Sequence, residues 1–332
     1  MSGERPDEFA IIERYFAPLA GDGAFGLRDD AALLGKPDFP LVVTQDALAE
    51  GIHFFSQDPS ELVARKAVRV NLSDLAAKGA VPTAISIALG LSDNWEESWI
   101  AGFAQGLAHD CRQYGIAMTG GDTFRSPGGT VIAVTALGEI RTGEYRSRLG
   151  ADDGDCLFVT GTIGDGALGL LARRATLGPE DAPEGLSQLQ LETLQSNYLL
   201  PNPPVHFADV VAEFASASMD ISDGLAGDLE KLAAASGFDA EVNIENVPLS
   251  DEVTTLASDP ALLSAALTGG DDYQILFTVP PDNVEGMRNA AAKAGIEVRN
   301  LAEVHSGSGK VTFLDKDGEV MRLGSKSWNH FA

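Results

Sequence analysis

The sequence has few cysteines, few basic residues and no long apolar run. Its two cysteines, Cys111 and Cys156, form neither a Cys-x-x-Cys pair nor a cluster with His at metal-ligand spacing. We therefore expect reduced thiols, a cytoplasmic location and no soft-metal site. The polar N-terminus lacks the apolar core of a signal peptide, and no run of about 18 apolar residues occurs, so no membrane association is predicted.

Basic side chains are scarce relative to acidic ones. The chain has 23 Lys and Arg against 49 Asp and Glu, a formal net charge of −26. A nucleic-acid partner requires a basic surface, so we exclude nucleic-acid binding as the function. Solubility, or a salt-tolerant source, accounts for most of this charge.

The length of 332 residues predicts about two domains. Residues 143–154 are polar and rich in glycine, which is typical of a boundary, so we expect domains at 1–150 and 151–332. Helical and strand patterns occur in both halves and predict an α+β fold, with α and β alternating in the N-terminal half.

Apolar periodicity places the individual elements. Helices are predicted from the 3.6-residue repeat at 9–16, 59–78, 95–114, 223–235, 262–267 and 283–294. β-rich runs predict strands at 31–34, 40–44, 83–90, 130–138, 155–160, 274–279, 298–303 and 310–314. Asn71 and Asp74 share one face of the second helix, Asp228 and Glu230 are expected to be exposed, and residues 178–192 are expected to form an exposed loop.

Short motifs that combine Asp with a small polar residue recur along the chain. Gly-Gly-Asp occurs twice, in Thr119-Gly-Gly-Asp-Thr-Phe-Arg125 and in Thr268-Gly-Gly-Asp-Asp-Tyr273. Taken singly, each Asp is more often a helix cap or a turn residue. Mg²⁺, however, prefers carboxylate oxygens, together with waters and substrate phosphates. The joint pattern therefore predicts a hard-cation site made by Asp30, Asp46, Asp74, Asp122, Asp220 and Asp223.

Four further features each have a functional and a structural interpretation. The segment Gly161-Thr-Ile-Gly-Asp-Gly166 is either a phosphate-binding turn at a helix start or a plain tight turn. Arg148 is a candidate phosphate partner or a solvated charge. His53 fits a structural histidine better than a ligand, and Trp328 either packs on the protein or stacks on a flat ligand.

Together these motifs resemble the thiamine-monophosphate kinase family, part of an ATP-binding superfamily that includes aminoimidazole ribonucleotide synthetase. The resemblance extends over nearly the whole chain in the family order. Its most specific parts are Asn71-Leu-Ser-Asp-Leu75 and Asp220-Ile-Ser-Asp-Gly-Leu225. It implies a two-domain aminoimidazole ribonucleotide synthetase-like fold and a homodimer in which the N-terminal halves form a barrel-like sheet.

The resemblance also implies an activity and a set of residue roles. The activity is Mg²⁺-dependent transfer of the ATP γ-phosphoryl group to thiamine monophosphate, giving thiamine diphosphate and ADP. The implied ligands of several Mg²⁺ ions are Asp30, Thr44, Gln45, Asp46, Asp74, Asp122, Asp220 and Asp223. ATP is expected to contact Gly121, Asp122, Arg148 and Ser222, the substrate His53, Asp271 and Trp328, and catalysis is assigned to Asp74, Asp122 and Arg148. The acceptor phosphate is already ionised at neutral pH, so direct in-line transfer requires no strong general base.

The sequence departs from the family pattern at three positions. Gln45 replaces the usual Thr and would bind metal through its backbone carbonyl, Asp271 replaces Glu, and Arg28 replaces Gly. A non-catalytic nucleotide-binding relative is therefore the alternative from another class. Among other branches, selenophosphate synthetase and the hydrogenase-maturation factor need a reactive Cys near the N-terminal glycine-rich segment or at the C-terminus, and neither Cys111 nor Cys156 is there.

Overall fold

A computed structural model describes residues 6–28, 31–178 and 182–324. The chain divides into two compact units. The first comprises residues up to Leu75 together with Val81–Arg141, and the second comprises Ala76–Ala80 and the residues from Thr142 onward. Each unit has one sheet together with helices, so the predicted α+β fold class is confirmed.

The first unit contains a four-stranded sheet in the order β1-β4-β2-β3. β2 and β3 are parallel, as expected for strands joined by a helical crossover, and the other two pairings are antiparallel. The elements, in chain order, are α1 (Glu8–Ile11), β1 (Leu41–Ala49), α2 (Ser60–Ala77), β2 (Val81–Leu91), α3 (Glu97–Tyr114), β3 (Ala117–Arg125) and β4 (Val131–Glu139).

The sequence explains how the crossover ends. α3 stops at Gly115, which adopts the left-handed conformation (φ +65°) and donates its N–H to the Cys111 carbonyl. The chain then enters β3 directly. β1 and β3 are the two edge strands of this sheet, so the acidic motifs that they carry, with Asp46 and Asp122, lie at opposite edges.

The second unit contains a six-stranded sheet in the order β10-β7-β9-β5-β8-β6, in which only the β10–β7 pairing is parallel. The elements are β5 (Cys156–Thr160), α4 (Asp165–Leu177), α5 (Gln188–Leu199), α6 (Ala208–Phe214), β6 (Ala217–Ile221), α7 (Leu225–Ser236), β7 (Phe238–Asn243), α8 (Asp251–Leu256), α9 (Pro260–Thr268), β8 (Gln274–Val279), α10 (Val284–Ala294), β9 (Val298–Ser306) and β10 (Val311–Leu314). Its core joins the sheet to α7 and includes Leu157, Met219, Ile221, Leu225, Leu229, Leu232 and Leu276.

Two of the predicted elements are wrong. Residues 31–34 form no strand: Leu33 and Leu34 are 70% and 50% exposed, and the segment is held by a bond from Leu33 N–H to the Gly23 carbonyl at 2.8 Å. The predicted loop at 178–192 ends too late, because α5 begins at Gln188. A reciprocal capping box between Ser187 and Gln190 starts this helix, and that Ser-x-x-Gln signal was available in the sequence.

The strong helical and strand signals are confirmed, including α2, α3, α7 and α10. The first Gly-Gly-Asp lies inside β3. Within the described ranges, no helix combines the length and hydropathy needed to span a membrane.

Candidate active site

The first group of predicted residues lies where the edge strand β1 meets α2. Thr44 Oγ1 donates a hydrogen bond to Asp74 Oδ2 at 2.6 Å. Two residues further along β1, the main-chain N–H of Asp46 donates to Asn71 Oδ1 at 2.9 Å. The buried Asn71 amide in turn donates to the Ala67 carbonyl one helical turn earlier. Side chains of α2 therefore fix the position of β1 and bring Thr44, Asp46 and Asp74 into one region.

Gln45 belongs to a second group, because side chains alternate between the faces of a strand. It pairs with Thr135 on β4, which in turn pairs with Ser86 on β2, while Asp122 on β3 pairs with Ala88 on β2. Gln45, Ser86, Asp122 and Thr135 all line a cavity of about 570 Å³. N-terminal residues complete its wall, including Glu8, Ile12, Phe16, Ala24 and Leu27.

The glycines beside Asp122 allow β3 to approach β2 closely. The β2–β3 register shifts between Ile85 and Ser86, which leaves Thr119 as the extra residue of a bulge. Thr119 Oγ1 donates to the Ile85 carbonyl at 3.0 Å. A Cβ atom on Gly121 would lie 1.9 Å from the Ile87 carbonyl oxygen, so no larger residue fits there without moving the backbone. This bulge sets where Asp122 meets the cavity.

In the second unit, the motif 220–224 begins at the end of β6, a strand that is buried along its whole length, and Asp220 is only 5% exposed. The N–H groups of Ser222 and Asp223 donate to Asp228 Oδ2 at 3.0 and 2.9 Å. Lys231 Nζ then bonds Asp223 Oδ2 at 2.5 Å and Asp228 Oδ1 at 2.8 Å. A buried carboxylate thus fixes the loop that carries two of the predicted ligands.

The charges of this network are coupled. Burial raises the pKa of Asp228 above its ordinary value, against the opposing effect of Lys231. Burial alone would lower the pKa of Lys231, but its hydrogen bonds to Asp223 and Asp228 outweigh that effect and raise it. Lys231 therefore remains protonated at neutral pH and neutralises part of the local negative charge.

The second Gly-Gly-Asp segment packs directly against this loop. Asp271 N–H donates to the Ser222 carbonyl at 3.0 Å, and Tyr273 N–H donates to the Ile221 carbonyl at 2.8 Å. Asp272 accepts hydrogen bonds from the N–H groups of Gly164 and Gly166. Those two N–H groups of the predicted phosphate-binding turn are therefore used within the protein.

The remaining predicted residues are dispersed. His53 Nδ1 accepts a hydrogen bond from Ala49 N–H at 3.0 Å, as a structural histidine would. Arg148 is exposed, and its main-chain carbonyl accepts a bond from Ser236 Oγ at 2.5 Å. Arg28 is exposed and lies 3.6 Å from a Glu13 carboxylate oxygen. Asp30 and Trp328 lie outside the described residues.

The oxygen atoms of the predicted metal ligands in each unit are of the kind that binds a hard divalent cation. In the first unit they are the carboxylates of Asp46, Asp74 and Asp122, the Thr44 hydroxyl and the Gln45 carbonyl, without sulfur or imidazole among them. Across the described ranges, no three or more Asp, Glu, His or Cys side chains converge as a metal-binding group. Mg²⁺ needs only one or two carboxylates when substrate phosphates supply other ligands, so the chemistry of these residues fits it.

Sequence reasoning missed two supporting residues, Asp228 and Asp272. Asp228 was expected to be exposed, but it is fully buried. Its position, three residues after Leu225 and four before Leu232, lies within the apolar stripe of α7, and this spacing was the signal for burial. Asp272 adjoins a predicted site residue, and its role depends on a loop more than 100 residues earlier in the chain.

Both halves of the chain match models of known protein families. Residues 28–140 match the family described as AIR synthase related protein, N-terminal domain, and residues 152–315 match the corresponding C-terminal domain. A thiamine-monophosphate kinase from Caulobacter vibrioides is 38% identical over 98% of this chain and 91% of its own length. One from Escherichia coli strain K12 is 34% identical over 98% of both chains.

Solved structures agree with these sequence relatives. A thiamine-monophosphate kinase from Stenotrophomonas maltophilia K279a has a TM-score of 0.79 and 34% identity, covering 92% of this chain and 94% of its own. AaThiL complexed with AMPPCP and TMP has a TM-score of 0.76 and 31% identity, covering 93% of this chain and 97% of its own. The hydrogenase maturation protein HypE, at 20% identity and a TM-score of 0.74, shares the fold.

Proposed function

The chain belongs to the thiamine-monophosphate kinase family, and on this premise we propose that it transfers the γ-phosphoryl group of ATP to thiamine monophosphate. The products are thiamine diphosphate and ADP. The observation that carries the proposal is the similarity, over almost the full length of both chains, to a structure that holds an ATP analogue together with TMP.

Residues with oxygen donor atoms in both units are proposed to bind Mg²⁺. The proposed Mg²⁺ ligands are Asp30, Thr44, Gln45 through its main-chain carbonyl, Asp46, Asp74, Asp122, Asp220 and Asp223. These residues would hold Mg²⁺, which would supply positive charge to offset the negative charge that accumulates on the phosphates during transfer. The hydrogen bond from Thr44 to Asp74 and the anchoring of Asp46 by Asn71 orient these ligands before substrate arrives.

The reaction depends on positioning the two phosphate groups and neutralising their negative charge more than on proton transfer. The nucleophile is a phosphate oxygen that is already ionised at neutral pH, so the site needs no strong general base. Asp74, Asp122 and Arg148 are the proposed catalytic residues, with the Arg148 guanidinium pairing to phosphate oxygens. Gly121 and Ser222 join Asp122 and Arg148 in contacting ATP, and the close packing of Gly121 on β2 keeps side-chain atoms out of that position.

Substrate recognition is assigned to His53, Asp271 and Trp328. Asp271 is one methylene shorter than the Glu that is usual in the family. Its main chain is tied to Ser222, the residue proposed to contact ATP. The two substrates would therefore contact two neighbouring segments that this hydrogen bond joins.

Assembly and location also belong to the proposal. Leu41 and Val43, at alternate positions of the edge strand β1, are 47% and 64% exposed, which favours a homodimer through the N-terminal sheet. We assign metal and ATP binding and dimerisation to residues 1–150 and the α+β domain to residues 151–332. Cys111 and Cys156 are unpaired thiols, in keeping with a cytoplasmic location.

The test is formation of thiamine diphosphate by the purified protein supplied with ATP and Mg²⁺. Thiamine monophosphate is the expected acceptor, and a parallel reaction with thiamine is the control. Product from the monophosphate alone supports the proposal. ATP binding without product from either acceptor would instead favour the non-catalytic alternative.

A further inference from the structure

Asp272 joins two segments that are distant in sequence. Its Oδ2 accepts the N–H of Gly164 at 2.8 Å, and its Oδ1 accepts the N–H of Gly166 at 3.0 Å. Gly164 is the residue before α4, and Gly166 lies in the first turn, where main-chain N–H groups have no partner within the helix. Asp272 is 6% exposed, so these bonds are shielded from water.

The two segments also touch through their main chains. A Cβ atom on Gly166 would lie 2.4 Å from the carbonyl carbon and oxygen of Asp271. A Cβ atom on Gly269 would lie 2.6 Å from the Ala167 side chain. The start of α4 and the residues before β8 therefore fit together with no room for added atoms.

The segment 269–273, which these contacts hold, contains two residues in an unfavourable backbone conformation. Asp271 and Tyr273 both have positive φ, at +74° and +52°, although neither is glycine. Non-glycine residues adopt this conformation at a cost of about 1–2 kcal/mol each, so surrounding contacts must maintain it. The bonds from Asp271 N–H to Ser222 and from Tyr273 N–H to Ile221 hold one side, and the side chain of Asp272, between them, holds the other.

A neighbouring carboxylate has different partners. Asp165, 8% exposed, is the first residue of α4 and accepts hydrogen bonds from the hydroxyls of Thr162 and Ser250 at 2.5 and 2.7 Å. The N–H groups of Gly164 and Gly166 instead donate to Asp272. Asp165 therefore supplies a matched control: it is a buried acid at the same helix start, and its hydrogen bonds do not reach the 269–273 segment.

We propose that Asp272 is a positioning residue for the acceptor substrate: by binding the start of α4 it holds Asp271 in its left-handed conformation beside Ser222. The inference rests on the proposed function for the part that Asp271 plays in binding thiamine monophosphate. Asp272 itself touches no substrate. Without it, the Asp271 carboxylate loses its fixed direction, whereas Ser222 is still held by Asp228 and the proposed metal ligands on β1, α2 and β3 keep their positions.

The experiment compares Asp272→Asn with Asp165→Asn in the full-length protein. Asn keeps the shape of Asp272 but replaces one acceptor oxygen by an amide donor facing an N–H group. We expect KM for thiamine monophosphate to rise by about tenfold in Asp272→Asn, with KM for ATP within about twofold of wild type. Asp165→Asn should leave KM for thiamine monophosphate unchanged.

Hydrogen exchange supplies a readout that does not depend on activity. In Asp272→Asn, peptides spanning 161–170 and 268–275 should both exchange faster, whereas Asp165→Asn should leave 268–275 protected. Equal increases in both KM values, or the same pattern in both variants, would reduce Asp272 to a general structural role and overturn the proposal. Unchanged kinetics and exchange in Asp272→Asn would also overturn it.

A second variant covers the case in which Asp272→Asn fails to fold. Gly166→Ala keeps the carboxylate but places a methyl group against the Asp271 main chain, so it should produce the same selective rise in KM for thiamine monophosphate. If wild-type protein forms no thiamine diphosphate, the proposed function fails by itself. The exchange comparison then still decides whether Asp272 couples the two segments.

Discussion

The two units place their acidic residues by different means. In the first, Thr44, Asp46 and Asp122 project from strands, and Asp74 projects from a helix, so regular hydrogen bonding already determines their spacing. In the second, Ser222, Asp223 and Asp271 lie in irregular segments. There the buried carboxylates of Asp228 and Asp272 accept main-chain N–H groups that no helix or strand satisfies.

The difference separates the two kinds of carboxylate by their environment. Asp122 is exposed and Asp74 only partly buried, whereas Asp228 and Asp272 are buried and have raised pKa values. Asp122 is open to an incoming cation, whereas a side chain that holds a loop gains from exclusion of water. Substitution of Asp74 or Asp122 should therefore lower turnover, whereas substitution of Asp228 or Asp272 should loosen the loop that each one holds.

The largest expected effect is on turnover in the first unit. Asp74→Asn and Asp122→Asn each remove one negative charge from the proposed metal site, and we expect kcat to fall by about 100-fold or more. The melting temperature should stay close to that of wild type, because Asp122 is exposed and the amide oxygen of Asn at position 74 can still accept the hydrogen bond from Thr44. Steady-state kinetics and a thermal melt of each variant check this, and an unchanged kcat in either would remove that residue from the metal assignment.

A large stability effect is expected at Asp228. Asp228→Ala leaves the N–H groups of Ser222 and Asp223 without their acceptor and should lower the free energy of unfolding by about 2 kcal/mol or more. Asp228→Asn should cost less, since one oxygen accepts both bonds and an amide oxygen can replace it. Urea denaturation measures both variants. Equal losses would show that the interaction with Lys231, rather than the loop, determines stability.

A further effect should appear in the pH dependence of stability. Burial, together with the nearby charges of Asp165 and Asp271, raises the pKa of Asp272 to about 8, against the opposing effect of the two N–H groups. The folded state therefore holds a proton that the unfolded state releases at lower pH. As pH rises toward 8, this lowers stability by up to about 1.4 kcal/mol per pH unit.

The check is the difference in unfolding free energy between wild type and Asp272→Asn at pH 5.5, 7.0 and 8.5. Because Asn does not titrate, the pH dependence of this difference comes from Asp272. The unfolding free energy of wild type should fall relative to that of Asp272→Asn as pH rises. A constant difference would mean that the carboxyl group is ionised throughout this range.

The smallest effect is expected at the departure from the family pattern at Arg28. Its side chain is 80% exposed, and its ion pair with the 77% exposed Glu13 spans 3.6 Å. Arg28→Ala should therefore change the free energy of unfolding by less than about 0.5 kcal/mol. A larger change in the same urea titration would show that Arg28 has a structural role.

The helices, the strands and the kinds of ligand could be predicted from the sequence better than the buried residues that hold the loops in place. α2 and α3 follow from apolar periodicity, and the carboxylates indicated the chemistry of a hard cation. The apolar run at 31–34 misled because its residues border a cavity and solvent instead of pairing with a strand. The burial of Asp228 could have been predicted from the apolar spacing of α7, but the role of Asp272 depends on a contact across 108 residues, which composition and periodicity do not specify.

Phosphorus NMR of the reaction tests the central claim most directly. With ATP, Mg²⁺ and thiamine monophosphate present, the monophosphate signal should decline while the two coupled signals of thiamine diphosphate appear, in amounts equal to the ADP formed. Release of inorganic phosphate with ADP, and an unchanged thiamine monophosphate signal, would contradict phosphoryl transfer to this acceptor.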